Sequence, residues 1–357
     1  MEVLGIDVGF GFTKVSNGRQ SNIFQSVIGE PVDIQFKTNF GNNKFTDNLH
    51  VTIDKKSYFI GNYASKQSAV REFTLDQNRL VSDFVRILAI TAAGIYAEDG
   101  ITMNVVSGLP VAYLGHDNEA FAKTLQGEHM VEYHLPDGTV TRKRLNINSV
   151  QLMPQPLGSV FNILMDESGQ IVNRDLAHQK IGVVDIGFKT TDFTVFDRMK
   201  YIERSSSTTD LGISRSFLAI AEKLKKESGV QLELYRLFDS VDSGHIKIKG
   251  KDYNIANLRD RVFEYAAREI VSSMDRLFAD EWDMDYLVLT GGGSKALYEH
   301  IIPLVNMEIL PFDSSNDLRF NNVMGYLKYG KNKWLKKPVK INPVPGKSDV
   351  DGDKERS

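Results

Sequence analysis

The feature that most constrains the fold is a short pattern that occurs twice, half the chain apart. Residues 181–196 read IGVVDIGFKTTDFTVF, in which apolar residues lead to Asp185, a glycine follows, and an alternating segment comes next. This pattern predicts a buried strand, a tight turn at Gly187 and a second strand that completes a hairpin. Residues 3–14, VLGIDVGFGFTK, repeat the strand, the acid at Asp7 and the glycine two residues later. The repeat predicts two related lobes that each begin with a hairpin.

A glycine turn after a strand-end carboxylate suits phosphate binding. Its backbone amides can approach an anion closely, because no side chain stands in the way. A carboxylate beside phosphate oxygens makes chemical sense chiefly when Mg²⁺ lies between them. The alternative is two unrelated buried strands with Asp turns, since Asp-x-Gly is a frequent pattern. The glycine at plus two and the aromatic residue at plus three, present in both copies, favour related lobes.

Length and composition narrow the class of protein. A chain of 357 residues exceeds one ordinary core and predicts two domains of moderate size. The absence of Cys excludes a disulfide framework, a thiolate metal site and a Cys nucleophile. A formal charge of -3 gives no global attraction to nucleic acid or to membranes. The strand pattern at the very start and the lack of a long apolar run lead us to expect a cytoplasmic protein without a signal peptide.

Other segments alternate between strand and helix patterns. Short strand-like pieces separated by turn residues predict a small β-rich insertion over about residues 30–75, rather than more core. Residues 75–96 and 257–282 have helical periodicity. Gly325 lies within another helical pattern, which suggests close packing or ligand contact. Residues 335–357 have no period and are expected to form a flexible tail.

Three further positions are candidates for a binding site. Residues 290–294, TGGGS, follow a strand and open a helix, where backbone can approach an anion or a polar nucleoside edge. Gln155 ends the strand pattern VQLMP, where its side chain could reach a cleft; the alternative is a turn Gln between two prolines. Glu222 lies on the charged face of a predicted helix over residues 213–227, and the alternative to nucleoside contact is a solvated face.

These elements stand in the order that marks the actin, Hsp70 and sugar-kinase superfamily of ATPases. The resemblance covers about residues 1–330. It rests on two phosphate loops, an adenosine motif and two connecting segments, which are matched by residues 7–14, 185–192, 287–294, 153–158 and 323–327. The chain is most similar to the ParM and archaeal actin-like branch, because of the segments SGLPV at 107–111 and MPQP at 153–156. ParM commonly has Glu where Gln155 stands, and Gln155 is closer to eukaryotic actin.

The resemblance implies an α/β, actin-like fold with two RNase H-like lobes around a nucleotide cleft. Domain I would span residues 1–154, with the insertion at about 30–75, and would be completed by about 312–330. Domain II would span residues 155–311.

The resemblance also implies that the ligands are ATP or ADP with Mg²⁺. Asp7 and Asp185 would bind Mg²⁺, mainly through its waters, and Lys14 would stabilise phosphoryl charge. Gln155 would position the attacking water, and because a neutral amide is a weak base we expect slow hydrolysis. The implied nucleotide contacts are Gly9, Phe10, Gly11, Phe12, Thr13, Lys14, Gly187, Phe188, Lys189, Thr190, Glu222, Gly291, Gly292 and Gly293. The Lys189 side chain can face either phosphate or solvent.

The activity implied is that of an ATPase that forms nucleotide-dependent, head-to-tail filaments of itself, as in plasmid segregation or a prokaryotic cytoskeleton. A DNA-bound adaptor protein is a further implied partner, without direct contact to nucleic acid or membrane. One alternative is a non-polymerising regulatory ATPase of the same fold. Another is a small-molecule kinase or phosphatase, which would need a catalytic Asp; Gln stands at the corresponding position, and the chain has no large substrate insertion.

Overall fold

The computed structural model describes residues 2–34, 45–76, 82–311 and 317–335, and gives only the backbone of residues 115–117. The predicted tail after Leu335 lies outside the described residues. So do parts of the predicted insertion at 30–75 and of the predicted segment at 312–330.

The described strands are β1 (Glu2–Val8), β2 (Phe12–Ser16), β3 (Ser21–Gln25), β4 (Ile28–Gly29), β5 (Leu49–Ile53), β6 (Lys56–Ile60), β7 (Arg71–Glu72), β8 (Thr102–Leu109), β9 (Gly127–His134), β10 (Val140–Pro154), β11 (Lys180–Ile186), β12 (Thr191–Asp197), β13 (Lys200–Thr209), β14 (His245–Ile248), β15 (Lys251–Asn254) and β16 (Tyr286–Thr290). The described α-helices are α1 (Asn62–Gln67), α2 (Asp83–Tyr96), α3 (Leu114–Leu125), α4 (Gln155–Leu164), α5 (Ser214–Ser228), α6 (Phe238–Ser243), α7 (Ala256–Leu277), α8 (Gly292–Ile301) and α9 (Asn321–Leu335). None of the described helices is both long and apolar enough to cross a membrane.

A large mixed sheet forms the first lobe, which we call lobe I. Its strands lie in the order β3-β2-β1-β8-β10-β9-β5-β6-β4-β7. The apolar run in β1 is buried, as expected of a strand that is covered on both faces. Because β1, β8 and β10 run parallel, their carboxyl ends meet at one edge of the sheet, where Asp7, Leu109 and Pro154 lie. α2 and α3 pack against this sheet.

A smaller sheet forms the second lobe, lobe II, with strand order β13-β12-β11-β16. β11 runs parallel to β16, and Asp185 lies in register with Thr290 at their carboxyl ends. α5, α7 and α8 belong to this lobe, whose apolar residues form a second buried cluster that also includes Val27, Phe59 and Ala64 of lobe I. Each lobe therefore presents the carboxyl ends of parallel strands at one edge, which is where α/β proteins generally bind ligands.

The predicted repeat is present as two equivalent hairpins. β1 and β2 pair antiparallel, with Asp7 opposite Lys14. β11 and β12 pair in the same way, with Asp185 opposite Asp192. In both hairpins the first strand also pairs in parallel with a later strand, β8 or β16. The two acids therefore occupy matching positions, one in each lobe.

Helices α4 and α9 lie between the two sheets. A third cluster of buried residues joins Val106 of lobe I and Val183 of lobe II to Phe161 of α4 and Tyr326 of α9. The two helices approach each other at their backbones, because a Cβ atom on Gly325 would lie 1.6 Å from the carbonyl oxygen of Gly158. The close packing expected at Gly325 is confirmed, and the two lobes are connected where these helices cross.

Three predicted elements differ from the structure. The predicted insertion is partly core, because β5 pairs with β9 and its alternate residues Leu49, Val51 and Ile53 are buried in lobe I. The helix predicted over residues 75–96 begins only at Asp83, which follows the undescribed residues 77–81. The helix predicted over residues 257–282 ends at Leu277. Beyond it, the buried Glu281 pairs with Lys180 and with Arg204.

Candidate functional site

The two hairpins meet in one cavity of about 610 Å³, a size typical of ligand pockets. The sequence-predicted residues that line it are Asp7, Gly9, Phe10, Gly11, Phe12, Lys14, Gln155, Asp185, Gly187, Phe188, Thr190, Gly291, Gly292 and Gly293. Residues from both halves of the chain therefore face a single space between the lobes.

Asp7, in lobe I, is balanced by a cation. Its buried carboxylate accepts a hydrogen bond from the Lys14 ammonium group at 2.8 Å, across the first hairpin. Asp7 and Lys14 are register partners on β1 and β2, so the hairpin itself brings the two charges together. Lys14 is mostly buried and lines the cavity, and it brings positive charge to the place where a phosphate would lie.

Asp185, in lobe II, has a neutral amide as its direct hydrogen-bond partner, where Asp7 has an ammonium group. Asn322 of α9 donates a hydrogen bond from Nδ2 to the Asp185 carboxylate at 2.6 Å. Burial and, to a smaller extent, the nearby Asp7 raise the pKa of Asp185 to about 6, against the Asn322 hydrogen bond and the charge of Lys14, which lower it. A bound cation would favour the ionised carboxylate, so this site fits a positively charged ligand.

A chain of buried hydrogen bonds holds Asn322 in place. Its Oδ1 accepts from the Ser159 hydroxyl of α4 at 2.6 Å, and Ser159 lies 2.6 Å from the Thr290 hydroxyl at the end of β16. All the polar atoms in this chain come from different elements: α4, α9, β11 and β16. The Asp185 carboxylate is thus fixed in orientation by the elements that join the lobes.

The glycines at 291–293 line the cavity, and two of them also have a packing role. A Cβ on Gly291 would lie 2.2 Å from the Asp185 carboxylate, and the residue has φ +87°. A Cβ on Gly293 would lie 2.6 Å from the Ile186 side chain. Two of the three glycines therefore allow α8 to pack against the end of β11. Gly292 has only the flexible Arg319 side chain near its Cβ direction, at 3.4 Å.

Two of the backbone amides expected to bind phosphate are used within the turns. The Gly9 amide donates to the Phe12 carbonyl at 3.1 Å, and the Gly187 amide donates to the Thr190 carbonyl at 2.8 Å. An amide that closes a turn cannot also point at a ligand. The expectation for these two amides is wrong, although both glycines do line the cavity.

Gln155 lies at the start of α4, directly after β10, and lines the same cavity as the two acids. Its carbonyl oxygen accepts a hydrogen bond from the Tyr326 hydroxyl at 3.2 Å, which fixes the first turn of the helix. Tyr326 is fully buried on α9. The Gln155 side chain therefore starts from a fixed backbone on the wall of the cavity.

Three predicted contact residues do not line the cavity. Thr13 neighbours Lys14 on a strand, so its side chain points to the opposite face and bonds to Ser26 at 3.0 Å. Lys189 pairs with Asp210 at 3.4 Å. Glu222 is exposed on α5, on the side away from Phe217, which lines the cavity. The structure therefore does not bring these three side chains to the cavity, and for Glu222 it agrees with the solvated alternative.

Several cavity or neighbouring residues had no recognisable pattern in the sequence. Phe238 of α6 packs against Phe12 with ring centroids 4.6 Å apart and so connects the lobes. The Arg319 guanidinium lies 5.6 Å from the Phe12 ring centroid and donates hydrogen bonds from Nε and Nη2 to the Asp317 carboxylate. Asp192 is buried, and its pKa is raised to about 7 by burial and by Asp185, against a hydrogen bond from Thr208.

No group of three or more His, Asp or Glu residues suited to holding a metal occurs in the part of the chain that is described. Mg²⁺ needs no such cluster when one or two carboxylates act together with phosphate oxygens and waters. Asp7 and Asp185 line the same cavity, and their acidic oxygens fit this arrangement. The donor set is therefore compatible with Mg²⁺ brought in with a phosphate ligand.

Comparison with known proteins gives relatives over nearly the whole chain. An archaeal actin homologue from Thermoplasma acidophilum is 24% identical over 340 residues, covering 91% of this chain and 98% of the relative. A ParM filament from Clostridium botulinum is similar in structure, with a TM-score of 0.77 and 24% identity over 93% of this chain and 99% of that one. An archaeal actin homologue in complex with ADP has a TM-score of 0.75 and 21% identity over 93% of this chain and 100% of that one. These likenesses confirm the predicted fold.

Two family models match successive parts of the sequence. The model described as the N-terminal domain of actin-like proteins matches residues 5–158, which include the first hairpin and Gln155. The model described as the C-terminal domain of the archaeal actin homologue MreB-like family matches residues 183–302, which include the second hairpin and the three glycines. Together they span most of the chain, and the chain belongs to the actin-like protein superfamily.

Proposed function

We propose that this protein is an ATPase that binds Mg-ATP between its two lobes and assembles into filaments in a nucleotide-dependent way. The observation that carries the proposal is the single cavity into which both strand-acid-glycine hairpins, Gln155 and the start of α8 converge. In support, a structurally similar archaeal actin homologue is described in complex with ADP. The proposed domains are residues 1–154, completed by about 312–330, and residues 155–311.

In the proposed complex the triphosphate lies between the two hairpin turns. Lys14 would offset the negative charge that the phosphates bring, and the Thr190 hydroxyl would donate to a phosphate oxygen. The amides at the turn tips, including those of Phe10, Gly11 and Phe188, would take the phosphate contacts, because the Gly9 and Gly187 amides close the turns. The nucleoside would lie towards α8, with the backbone of Gly292 as its closest glycine contact.

Mg²⁺ is the proposed metal, held through its waters by Asp7 and Asp185. The ion would supply charge stabilisation to the phosphates. Asp185 depends more on a bound cation than Asp7 does, because its direct partner is the neutral Asn322 amide, whereas Asp7 pairs directly with the Lys14 ammonium group. We therefore assign Asp185 the larger share of the dependence on Mg²⁺.

Gln155 is the proposed water-positioning residue. It lines the same cavity as the two acids, so its side chain could meet a water that attacks the terminal phosphate. A neutral amide can orient a water through hydrogen bonds but cannot remove its proton efficiently. The expected hydrolysis is slow, which suits a timer rather than a metabolic enzyme.

Filament formation is supported by the similarity to a ParM protein described as a 15-stranded filament. A head-to-tail contact that does not close on itself makes an open filament from one kind of chain. The proposed setting is plasmid segregation or a cytoskeleton in the cytoplasm, with a DNA-bound adaptor as the link to cargo.

The test combines 90° light scattering with phosphate release, for the wild type and for Asp185→Ala in Mg-ATP. We expect scattering to rise with the wild type and to stay at baseline with the variant, which should also lose phosphate release. ATP turnover with flat scattering over a wide range of protein concentration would exclude the filament and leave a non-polymerising ATPase. No turnover and no nucleotide binding would exclude the whole proposal.

A further inference from the structure

The segment after β8 crosses from lobe I to lobe II and is held there by two hydrogen bonds. The backbone amide of Val111 donates to Asp192 Oδ1 at 3.0 Å, and the next amide, of Ala112, donates to Thr208 Oγ1 at 3.1 Å. Val111 and Ala112 follow directly on a strand of the large sheet, whereas Asp192 and Thr208 belong to the small sheet. The contact is therefore between lobes and is made by successive amides.

The two accepting side chains form a matched pair. Asp192 on β12 and Thr208 on β13 are register partners, and the Thr208 hydroxyl donates its hydrogen to Asp192 Oδ1. The Thr208 hydroxyl oxygen still has lone pairs with which it accepts from the Ala112 amide. Asp192 Oδ1 accepts from both the Thr208 hydroxyl and the Val111 amide. Each hydrogen bond thus has a defined direction, and we call this pair the Asp192–Thr208 clamp.

The clamped segment also forms part of the cavity wall. Pro110, directly before Val111, lines the cavity together with Gln155. Leu109 is paired with Pro154, the residue before Gln155, and a Cβ on Gly108 would lie 3.0 Å from Gln155 Cγ. The position of this segment therefore limits where the Gln155 side chain can lie.

The other end of the clamp belongs to the second hairpin. Asp192 lies directly opposite Asp185, the proposed Mg²⁺ ligand, on paired strands. One side chain thus connects the hairpin expected to hold phosphate with the wall that carries Gln155. Neither Asp192 nor Thr208 lines the cavity, so the pair would act on the reaction through other residues.

We propose that Asp192 and Thr208 are positioning residues for ATP hydrolysis: they fix the 108–112 segment to lobe II and thereby set the distance from Gln155 to the bound phosphate. This inference rests on the proposed ATPase function and adds residues that the nucleotide does not touch. A displacement of about 1 Å at a reacting group can lower a rate by on the order of 100-fold, so loss of two hydrogen bonds at this wall is sufficient for a large effect.

The kinetic test uses Thr208→Val, which keeps the shape of the side chain but neither donates nor accepts. We expect phosphate release per bound ATP to fall on the order of 10-fold, with the dissociation constant for ATP changed less than about 3-fold. Thr208→Ser and Asp192→Asn keep the required hydroxyl and carbonyl oxygens and should stay near the wild-type rate. Asp192→Ala should behave like Thr208→Val.

Thr209→Val is the matched control on the same strand. The Thr209 hydroxyl bonds only within lobe II, to the Thr191 carbonyl at 3.3 Å, so its loss should leave phosphate release unchanged. If Thr208→Val releases phosphate as fast as Thr209→Val, the positioning role is refuted. An equal loss of ATP binding and of phosphate release would also refute it, because that result indicates general damage.

Hydrogen exchange separates this inference from the proposed function. The Val111 and Ala112 amides should be protected in the wild type and in Thr209→Val. Ala112 should exchange faster in Thr208→Val and Val111 in Asp192→Ala, because each variant removes the acceptor of that amide. If the wild type does not hydrolyse ATP, the proposed function and the catalytic role fall together, while slow exchange at these amides would still show the clamp. If the wild type hydrolyses ATP but the two amides exchange at the unprotected rate, the clamp alone is refuted.

Discussion

At the scale of single residues, the two equivalent acids differ in what balances their charge. Asp7 has an ammonium partner, Lys14, whereas Asp185 has the Asn322 amide and lies against buried carbon atoms. An amide can donate to a carboxylate but brings no net charge. The ionised form of Asp185 is therefore less stable than that of Asp7 as long as no cation is bound. Because of this asymmetry, the ionisation of Asp185 links metal binding and pH to the stability of the fold.

The first prediction is that the metal-free protein loses stability as the pH rises through the pKa of Asp185. The pKa of Asp185 is about 6 in the folded protein, against an ordinary value of 3.8, so the folded protein binds this proton more tightly than the unfolded chain does. The stability that the bound proton contributes is lost as the pH rises to about 6. Between about pH 4.5 and pH 7.5 the unfolding free energy of the wild type should fall by about 2 kcal/mol relative to Asp185→Asn. Urea unfolding in EDTA measures this difference. A constant difference between the two proteins would contradict the buried-acid account.

The second prediction contrasts Gly291 with Gly292. A methyl group at Gly291 would meet the Asp185 carboxylate at 2.2 Å from a backbone with φ +87°, so Gly291→Ala should lower the unfolding free energy by about 2–4 kcal/mol. Gly292→Ala meets only the Arg319 side chain and gains helix propensity, so its stability should change by less than about 1 kcal/mol. Thermal or urea unfolding compares the two, and equal losses would show that strain at Gly291 is not the cause.

At the scale of elements, the lobes are joined where α4 and α9 cross. Gly158 and Gly325 let the two backbones touch, and Ser159 and Asn322, next to the crossing, carry the hydrogen bonds to Thr290 and Asp185. Packing and orientation of the Asp185 carboxylate therefore depend on the same contact. A change in the distance between the helices would therefore change the orientation of the Asp185 carboxylate at the proposed metal site.

The third prediction tests this crossing with Gly325→Ala. The new Cβ would lie 1.6 Å from the Gly158 carbonyl oxygen, a backbone atom that cannot turn away, so the helices must separate. We expect a loss of about 3 kcal/mol or more in unfolding free energy, together with weaker nucleotide binding. Gly292→Ala serves as control for the same substitution in a helix that has room. Unchanged stability of Gly325→Ala would show that the helices are not packed as closely as described.

The elements that could be predicted from the sequence are those defined by neighbouring residues. Both hairpins, with Asp7 and Asp185 at their strand ends, follow from alternation and glycine turns. Thr13 and Glu222 were candidate nucleotide contacts, but strand alternation and helix rotation place their side chains away from the cavity, and for Glu222 this agrees with the solvated alternative. Asn322, by contrast, reaches Asp185 only through the tertiary fold.

Two other partners show the same limit. Asp192 bonds to a backbone amide of the other lobe, and Arg319 packs on Phe12 from the far end of the chain. Nothing in the neighbouring sequence marks either contact, because each joins segments that are distant in sequence. Local sequence patterns therefore predict the hairpins that form the cavity but not the residues that hold the two lobes together.

At the scale of the whole molecule, residues of both lobes meet above the proposed phosphate site. Phe12 of the first hairpin packs on Phe238, and a Cβ on Gly11 would lie 3.2 Å from the Phe188 ring of the second turn. Phosphate bound between the turns would contact both lobes, so its loss is expected to weaken their closure. In the proposed function, lobe closure is the step by which ATP hydrolysis would change the contact between subunits of a filament.

The fourth prediction, which rests on the proposed function, is that Gln155→Ala produces longer-lived filaments. The substitution removes the side chain that positions water but leaves Asp7, Lys14 and Asp185 in place, so ATP should still bind, close the lobes and drive assembly. Phosphate release should fall at least about 10-fold. Because hydrolysis is expected to weaken the contact between subunits, the variant's filaments should then persist after wild-type filaments have disassembled.

Sedimentation over time after a single addition of Mg-ATP, alongside phosphate release, measures both filament lifetime and hydrolysis. Asp185→Ala, which should not assemble, sets the baseline, and equal filament lifetimes despite lost phosphate release would show that hydrolysis is not the timer.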